Sequence, residues 1–180
     1  ALAAGTLLAS GGMTACDPLL SADAPSRILE STLLQPSNAT VLLAGAIADF
    51  ECALGNYVMT MGTIADEFMD SQANAATWDL DRRTSNPSTA LYATGACGGF
   101  GVYTPVSVAR FQADQAIKLL SEWTDAQVPG RQALLARAAA YSGYAHILLG
   151  EAFCSAAVDQ GPELTPAQVF ALAEARFTTA

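Results

Sequence analysis

Basic side chains are scarce in this chain. Lys and Arg together number 8 against 17 Asp and Glu, a net charge of −9, and Lys118 is the only lysine. No run of basic residues occurs anywhere. A surface of this sign repels phosphate backbones, so a nucleic-acid partner is excluded. Histidine is scarcer still, with His146 alone. One histidine supports neither a zinc-ligand spacing nor a Ser-His-Asp or Cys-His set, so no metal, no cofactor and no catalytic group is assigned and the chain reads as a non-enzyme. Set among Tyr144, Ala145 and Ile147 within a helix, His146 reads as a core or groove histidine. Charge of either sign is thin, at 14% where about 25% is usual. Alternating runs that would pair as strands are missing too.

What is present is apolar and helix-forming. Hydrophobic residues make up 52% of the chain, and Ala, the best helix former, recurs throughout. Residues 1–16 read "ALAAGTLLASGGMTAC". They combine an uncharged apolar stretch with small residues before a Cys, as secretory signals do. Met13-Thr14-Ala15-Cys16 resembles a bacterial lipobox, in which the Cys receives lipid. The alternative is a retained apolar helix. Fifteen residues would give about 22 Å of helix, short of a roughly 30 Å hydrocarbon core unless the segment continues upstream. Either way the chain is expected to be tethered to a membrane and to lie outside the cytoplasm. Residues 17–37 are polar, carry Pro18, Pro25 and Pro36, and read as a stalk with a short helix from about Ser26 to Leu34.

Residues 38–180 read as one helical domain. Asn38 is placed to cap a long helix. Its apolar face is Leu43, Ile47, Phe50, Leu54, Tyr57 and Val58. The opposite face carries Gly45, Ala48, Cys52 and Gly55, small enough for another backbone to approach. Gly62 is expected to interrupt the helix, and Thr63–Asp70 to continue it briefly. Residues 71–104 show no sustained period, and such long loops are usually functional or disordered. Three helices follow. The first is expected to open with Thr104 as cap and Pro105 at the first helical position, with Ala109, Ala113, Ile117, Leu120 and Trp123 as its stripe. The second spans about Arg131–Phe153, with Leu134, Ala138, Tyr141, Ala145 and Leu148 on one face. The short "VPG" between the two makes them antiparallel neighbours. The third opens with a capping box, Thr165 with Gln168, behind which Val169, Ala173 and Phe177 face inward. The expected fold is all-α: antiparallel, tetratricopeptide-like helical hairpins with one long irregular loop. The chain begins without Met and stops inside a helix, so it reads as a domain truncated at its C-terminus.

Four cysteines occur. Thiols in an oxidising compartment tend to pair. With Cys16 given to lipid, Cys52, Cys97 and Cys154 remain. Cys97 lies just before one helix and Cys154 just after its antiparallel neighbour, so a Cys97–Cys154 bridge is the first expectation. Cys52–Cys154 is the competitor.

The acidic group Asp49, Glu51, Asp66, Glu67 and Asp70 lacks the spacing of a calcium loop and reads as a solvated face. Aromatic residues in or beside the irregular segment are the ligand-binding candidates: Trp78, Tyr92, Phe100 and Tyr103. Flat rings stack on sugar faces, and Arg82, Arg83 or Asn86 would add polar contacts. The plainer alternative is that these rings only pack the loop onto the helices.

The order of segments carries a resemblance. A lipobox-like Cys16 is followed by "ECALGNYVM", "ADEFMD", a long loop, "ARFQADQAIKLLSEW" and "RQALLARAAAYSGYAHILLGEAFC". Over about Asn38–Phe177 this resembles the N-terminal part of the SusD/RagB family of nutrient-uptake lipoproteins, most specifically in the helix pair ending "LLGEAF". The 34-residue repeat consensus of tetratricopeptide proteins is not visible. The resemblance implies a lipid-anchored protein of the Gram-negative outer membrane. It would capture oligosaccharide or peptide nutrients for a TonB-dependent transporter and catalyse nothing. Family members are much longer, so much of the binding site would lie beyond this chain. The second reading is an accessory subunit of a larger membrane complex, since helical hairpins also serve as protein-binding scaffolds.

Overall fold

The computed structural model describes residues 28–71, 75, 77–84 and 101–180. Cys16, Asn86, Tyr92, Cys97 and Phe100 lie outside the described residues, as do the lipobox and most of the stalk. Helices are numbered here over the described residues: α1 (Glu30–Leu33), α2 (Ala39–Ile64), α3 (Trp78–Asp81), α4 (Tyr103–Glu122), α5 (Arg131–Ala152) and α6 (Pro166–Thr179). The described residues are 70% helical and 3% strand, so the all-α expectation holds at the level of class. Among the described residues the strand content is one antiparallel pair, β1 (Ala156–Ala157) with β2 (Glu163–Leu164).

Helix α2 is the longest, and it packs on both α4 and α5. Its buried face matches the expected one in part: Leu43 and Phe50 are buried, and Ile47 and Tyr57 pack against the core. Ala39, Leu42, Leu43, Ala46, Phe50, Ala53, Asn56 and Thr60 turn inward, while Leu54 and Val58 are exposed at 38% and 48%. Small residues lead because Ala at the contact lets helix axes approach closely. The face bearing Gly45 and Gly55 meets open space instead of a neighbouring backbone. Asn38 sits at the N-cap but does not cap. Its side-chain amide donates instead to the Thr32 carbonyl at 2.8 Å, tying α1 to the start of α2. Residues Pro36–Ile64 are long and apolar enough to cross a membrane by length and composition, with a third of the most apolar stretch buried inside the fold.

The helix runs through Gly62 to Ile64 and stops there, so Thr63–Asp70 does not continue it. The stop is local. Asp66 enters the left-handed region at φ 69°, and the Gly62 carbonyl accepts from both Glu67 and Phe68 N–H, at 2.9 and 3.0 Å. The Phe68 ring then folds back over Gly62, in space a Cβ would fill.

Helix α4 begins before Thr104, with Val102 at the N-cap and no side-chain cap. Pro105 still falls in the first turn, where its missing N–H costs nothing. Arg131 closes the far end by donating to the Leu120 carbonyl at 2.9 Å and to Asp125 at 2.8 Å. Gly130, at φ 75°, makes the left-handed turn into α5. That helix is buried on several sides, because α2 and α4 cover one flank and α6 the other. The capping box at α6 is formed as expected: the Thr165 hydroxyl accepts from Gln168 N–H and the Gln168 side chain accepts from Thr165 N–H. Val169 and Ala173 are buried behind it.

Two apolar clusters form the core. Phe50, Val106, Leu149 and Val169 centre one. Leu42, Leu43, Leu120 and Val128 centre the other, at the opposite end of α2.

Candidate functional site

The candidate site lies where α2 ends. One-turn helix α3 is fixed there by Leu80, which is 1% exposed. The Thr77 hydroxyl donates to the Asp70 carboxylate. Arg83 pairs with Asp66, and its Nε donates to the Ile64 carbonyl at 3.0 Å, supplying the C-terminus of α2 with a cation and a donor. These contacts close the turn and leave a hollow of about 450 Å³. Met59, Phe68, Met69 and Leu80 give it apolar walls, Thr63, Ser71 and Thr77 add hydroxyls, and Glu67 and Asp70 are the charged groups. Three walls stand open to solvent: Met59 is 52% exposed, Phe68 47% and Met69 81%.

Trp78 is on the same short helix and 41% exposed. The Arg82 guanidinium lies over its ring, 5.0 Å from the centroid. Such a cation–π contact holds the ring in place and covers one face with a planar polar group. Of the expected ligand-binding residues, the structure thus brings Trp78 and Arg82 together. Tyr103 does not join them. Its ring packs edge-on against Phe153 at 5.4 Å, so Tyr103 is a packing residue between α4 and the end of α5.

The cysteine expectations are corrected. Cys52 is disulfide-bonded, and Cys154 is an exposed free thiol. Neither Cys97–Cys154 nor Cys52–Cys154 is therefore formed. The chain leaves α5 in extended geometry at Phe153. Successive extended residues point to opposite sides, so Phe153 turned inward onto Tyr103 sends Cys154 outward.

A buried polar network was not legible in the sequence. Asp114 on α4 accepts from Arg110 at 3.0 Å, from Ser142 on α5 at 2.7 Å and from Arg176 on α6 at 2.9 Å. Arg110, 5% exposed, also donates to Asp159 at 2.8 Å. Asp159 and Gln160 are both left-handed, at φ 51° and 59°, in the tight turn that precedes β2. His146 lies one turn beyond Ser142 and is 1% exposed. Ser142, His146 and Asp114 make an acid, a base and a hydroxyl in one place, but the wiring is not that of a nucleophile. The Ser142 hydroxyl gives its proton to Asp114. His146 Nδ1 lies 3.5 Å from the Ser142 hydroxyl but donates to the Ser142 carbonyl at 2.8 Å, so that nitrogen carries a proton and cannot take one from the hydroxyl. Burial pushes the His146 pKa down; the Ser142 carbonyl and Asp114 oppose that, and Arg110 and Arg176 add to it. The network joins three helices and one turn. Among the described residues no group of His, Cys, Asp or Glu is placed to hold a metal.

Comparison with protein-family models, with curated proteins and with solved structures gives no match.

Proposed function

We propose that this chain is an extracytoplasmic, membrane-tethered binding protein of the SusD type, capturing oligosaccharide or peptide nutrients for a TonB-dependent transporter at the Gram-negative outer membrane. It binds and hands over; it does no chemistry. On this reading the pairs α4–α5 and α5–α6 are tetratricopeptide-like hairpins, and Cys16 carries the lipid. The observation that carries it is the half-exposed Trp78 ring, held by Arg82 on the short segment whose Thr77 and Leu80 line an open hollow. Small-ligand sites are concave and lined with aromatic and apolar side chains.

The test is a titration of defined oligosaccharides and short peptides against the wild-type chain and Trp78→Ala. Trp78→Ala is expected to weaken capture about tenfold, as for loss of one stacking contact, with an unchanged melting temperature. Unchanged capture together with lower stability would make Trp78 a packing residue and sink the reading. Intact mass of the membrane-extracted protein tests the tether, since acylated Cys16 adds a fixed mass and loses the residues before it.

The alternative, an accessory subunit of a larger membrane assembly, draws on the outer face of α2. Val41, Val58 and Met59 are exposed there, beside Gly45 and Gly55 in open space. A photocrosslinker at Val58 that joins the chain to one membrane protein would favour it over nutrient capture.

A further inference from the structure

The hollow at the end of α2 is one-sided in its chemistry. Its apolar walls are thioether, phenyl and isobutyl groups from Met59, Met69, Phe68 and Leu80, and hydroxyls of Thr63, Ser71 and Thr77 line it as well. Unbranched Met side chains adapt to ligands of varied outline, and thioether–ring contacts are favourable. Its ionisable groups are Glu67 and Asp70, and no Lys, Arg or His lines it among the described residues. The nearby cations are already engaged: Arg83 with Asp66, and Arg82 on the Trp78 ring. Asp70 accepts from Thr77. Glu67 lines the hollow, is exposed, and enters no ion pair among the described residues. The whole chain carries −9, so the field at the mouth favours cations.

We propose that this hollow takes an apolar organic cation: a group with a hydrophobic body seated between Met59, Phe68, Met69 and Leu80 and an ammonium reaching Glu67. It rests on the reading of the hollow as a ligand site and names the chemistry selected there. An alkyl or aryl ammonium buries carbon against carbon and brings the charge that Glu67 lacks.

The experiment uses the full chain labelled at the methionine methyls. Phenethylammonium, 2-phenylethanol and 3-phenylpropionate share a body and differ in charge. Met59 and Met69 report the hollow. Met61, packed against the core, is the internal control. Phenethylammonium is expected to shift Met59 and Met69, and to bind about tenfold tighter than the alcohol at low salt, the scale of one partly screened charge pair. The carboxylate should bind weakest. Glu67→Gln should erase the preference while keeping alcohol binding. Gly62→Ala, which pushes the Phe68 ring off α2, should weaken ammonium and alcohol alike. Equal binding of the three probes, a preference that survives Glu67→Gln, or shifts away from Met59 and Met69 would overturn the proposal. If the probes fail to discriminate while Trp78→Ala still impairs nutrient capture, this inference falls alone. If the ammonium is selected while Trp78→Ala changes nothing, the nutrient reading falls and this one stands.

Discussion

The Ser142 hydroxyl donates to Asp114 across the α4–α5 contact at 2.7 Å. The same carboxylate holds Arg110 of its own helix and Arg176 of α6. One aspartate thus receives donors from three helices, and Arg110 extends the chain of contacts to Asp159 in the turn before β2. A charge set of this kind is expensive to bury and is tolerated only when every donor is matched. No buried side-chain nitrogen or oxygen lacks a partner among the described residues.

Removing one member should therefore cost more than a surface ion pair would. Asp114→Ala leaves Arg110, with a side chain only 6% exposed, with the exposed Asp159 as its remaining carboxylate, and takes the acceptor from Ser142 and Arg176. The expected loss is about 3 kcal/mol, the usual scale for breaking a buried pair from one side. Urea denaturation with the m-value held constant measures it. Asp159→Ala removes the 62%-exposed partner and should cost well under half as much.

His146 makes stability depend on pH. Burial lowers its folded pKa, against the Ser142 carbonyl and Asp114, with Arg110 and Arg176 adding to the lowering. The unfolded chain then binds more protons than the folded one below about pH 6.5. Stability is full above that pH and falls as pH drops through the interval down to the folded value. His146 is the only histidine, so thermal melts between pH 7.5 and 5 should show this acid limb. His146→Gln should flatten it.

The last helix is docked through Gly143. A Cβ there would come within 2.8 Å of Phe177 Cζ, and Phe177 also packs edge-on against Tyr144 at 5.1 Å. Gly143→Ala should displace Phe177, loosen the neighbouring Arg176–Asp114 contact and cost about 1–3 kcal/mol by overpacking. Hydrogen exchange is expected to rise first in α6. Thr165→Ala, which removes the capping box, should cost about 1 kcal/mol in the same helix.

Gly62 should respond with the opposite sign. The ring that a new Cβ would meet belongs to Phe68, which is 47% exposed and free to swing outward. Ala also gains up to about 1 kcal/mol over Gly inside a helix. Gly62→Ala is therefore expected to hold or raise the melting temperature while opening the wall of the hollow.

The thiols separate cleanly. An exposed Cys154 should react with a thiol reagent in the native protein, and Cys52 should react only after reduction. Cys154→Ser should leave stability within about 0.5 kcal/mol. Cys52→Ser should lower it by about 2–4 kcal/mol.

Local signals proved readable where the chain itself supplies both partners. The α6 capping box needs only Thr165 and Gln168, three residues apart, and it forms. The α4–α5 turn needs Gly130 in a left-handed conformation, and glycine occupies that position. The α2 stripe holds at Leu43 and Phe50 and fails at its edge. The fold turns Leu54 and Val58 to solvent and buries Ala46 and Ala53, because α4 and α5 pack on that side. Asn38 reads as a cap, yet Thr32 lies nearer its amide.

The site shows the same division. Trp78 and Arg82 were legible as candidates, but their pairing on one helical turn was not, because residues 71–104 show no sustained period. The hollow beside them depends on Phe68 folding back over Gly62, and periodicity carries no trace of that. The trio Ser142, His146 and Asp114 draws on two helices and lies 28 residues apart at its widest bonded step.

By itself the sequence determined the helical class, the acidic surface and the turns, because propensity, charge and capping act over one to four residues. Tertiary structure alone decided which edge of the α2 stripe is exposed, that Cys154 stays free, and that Asp114 gathers three helices. Each of those depends on which groups meet across long separations, and packing rather than local preference sets that.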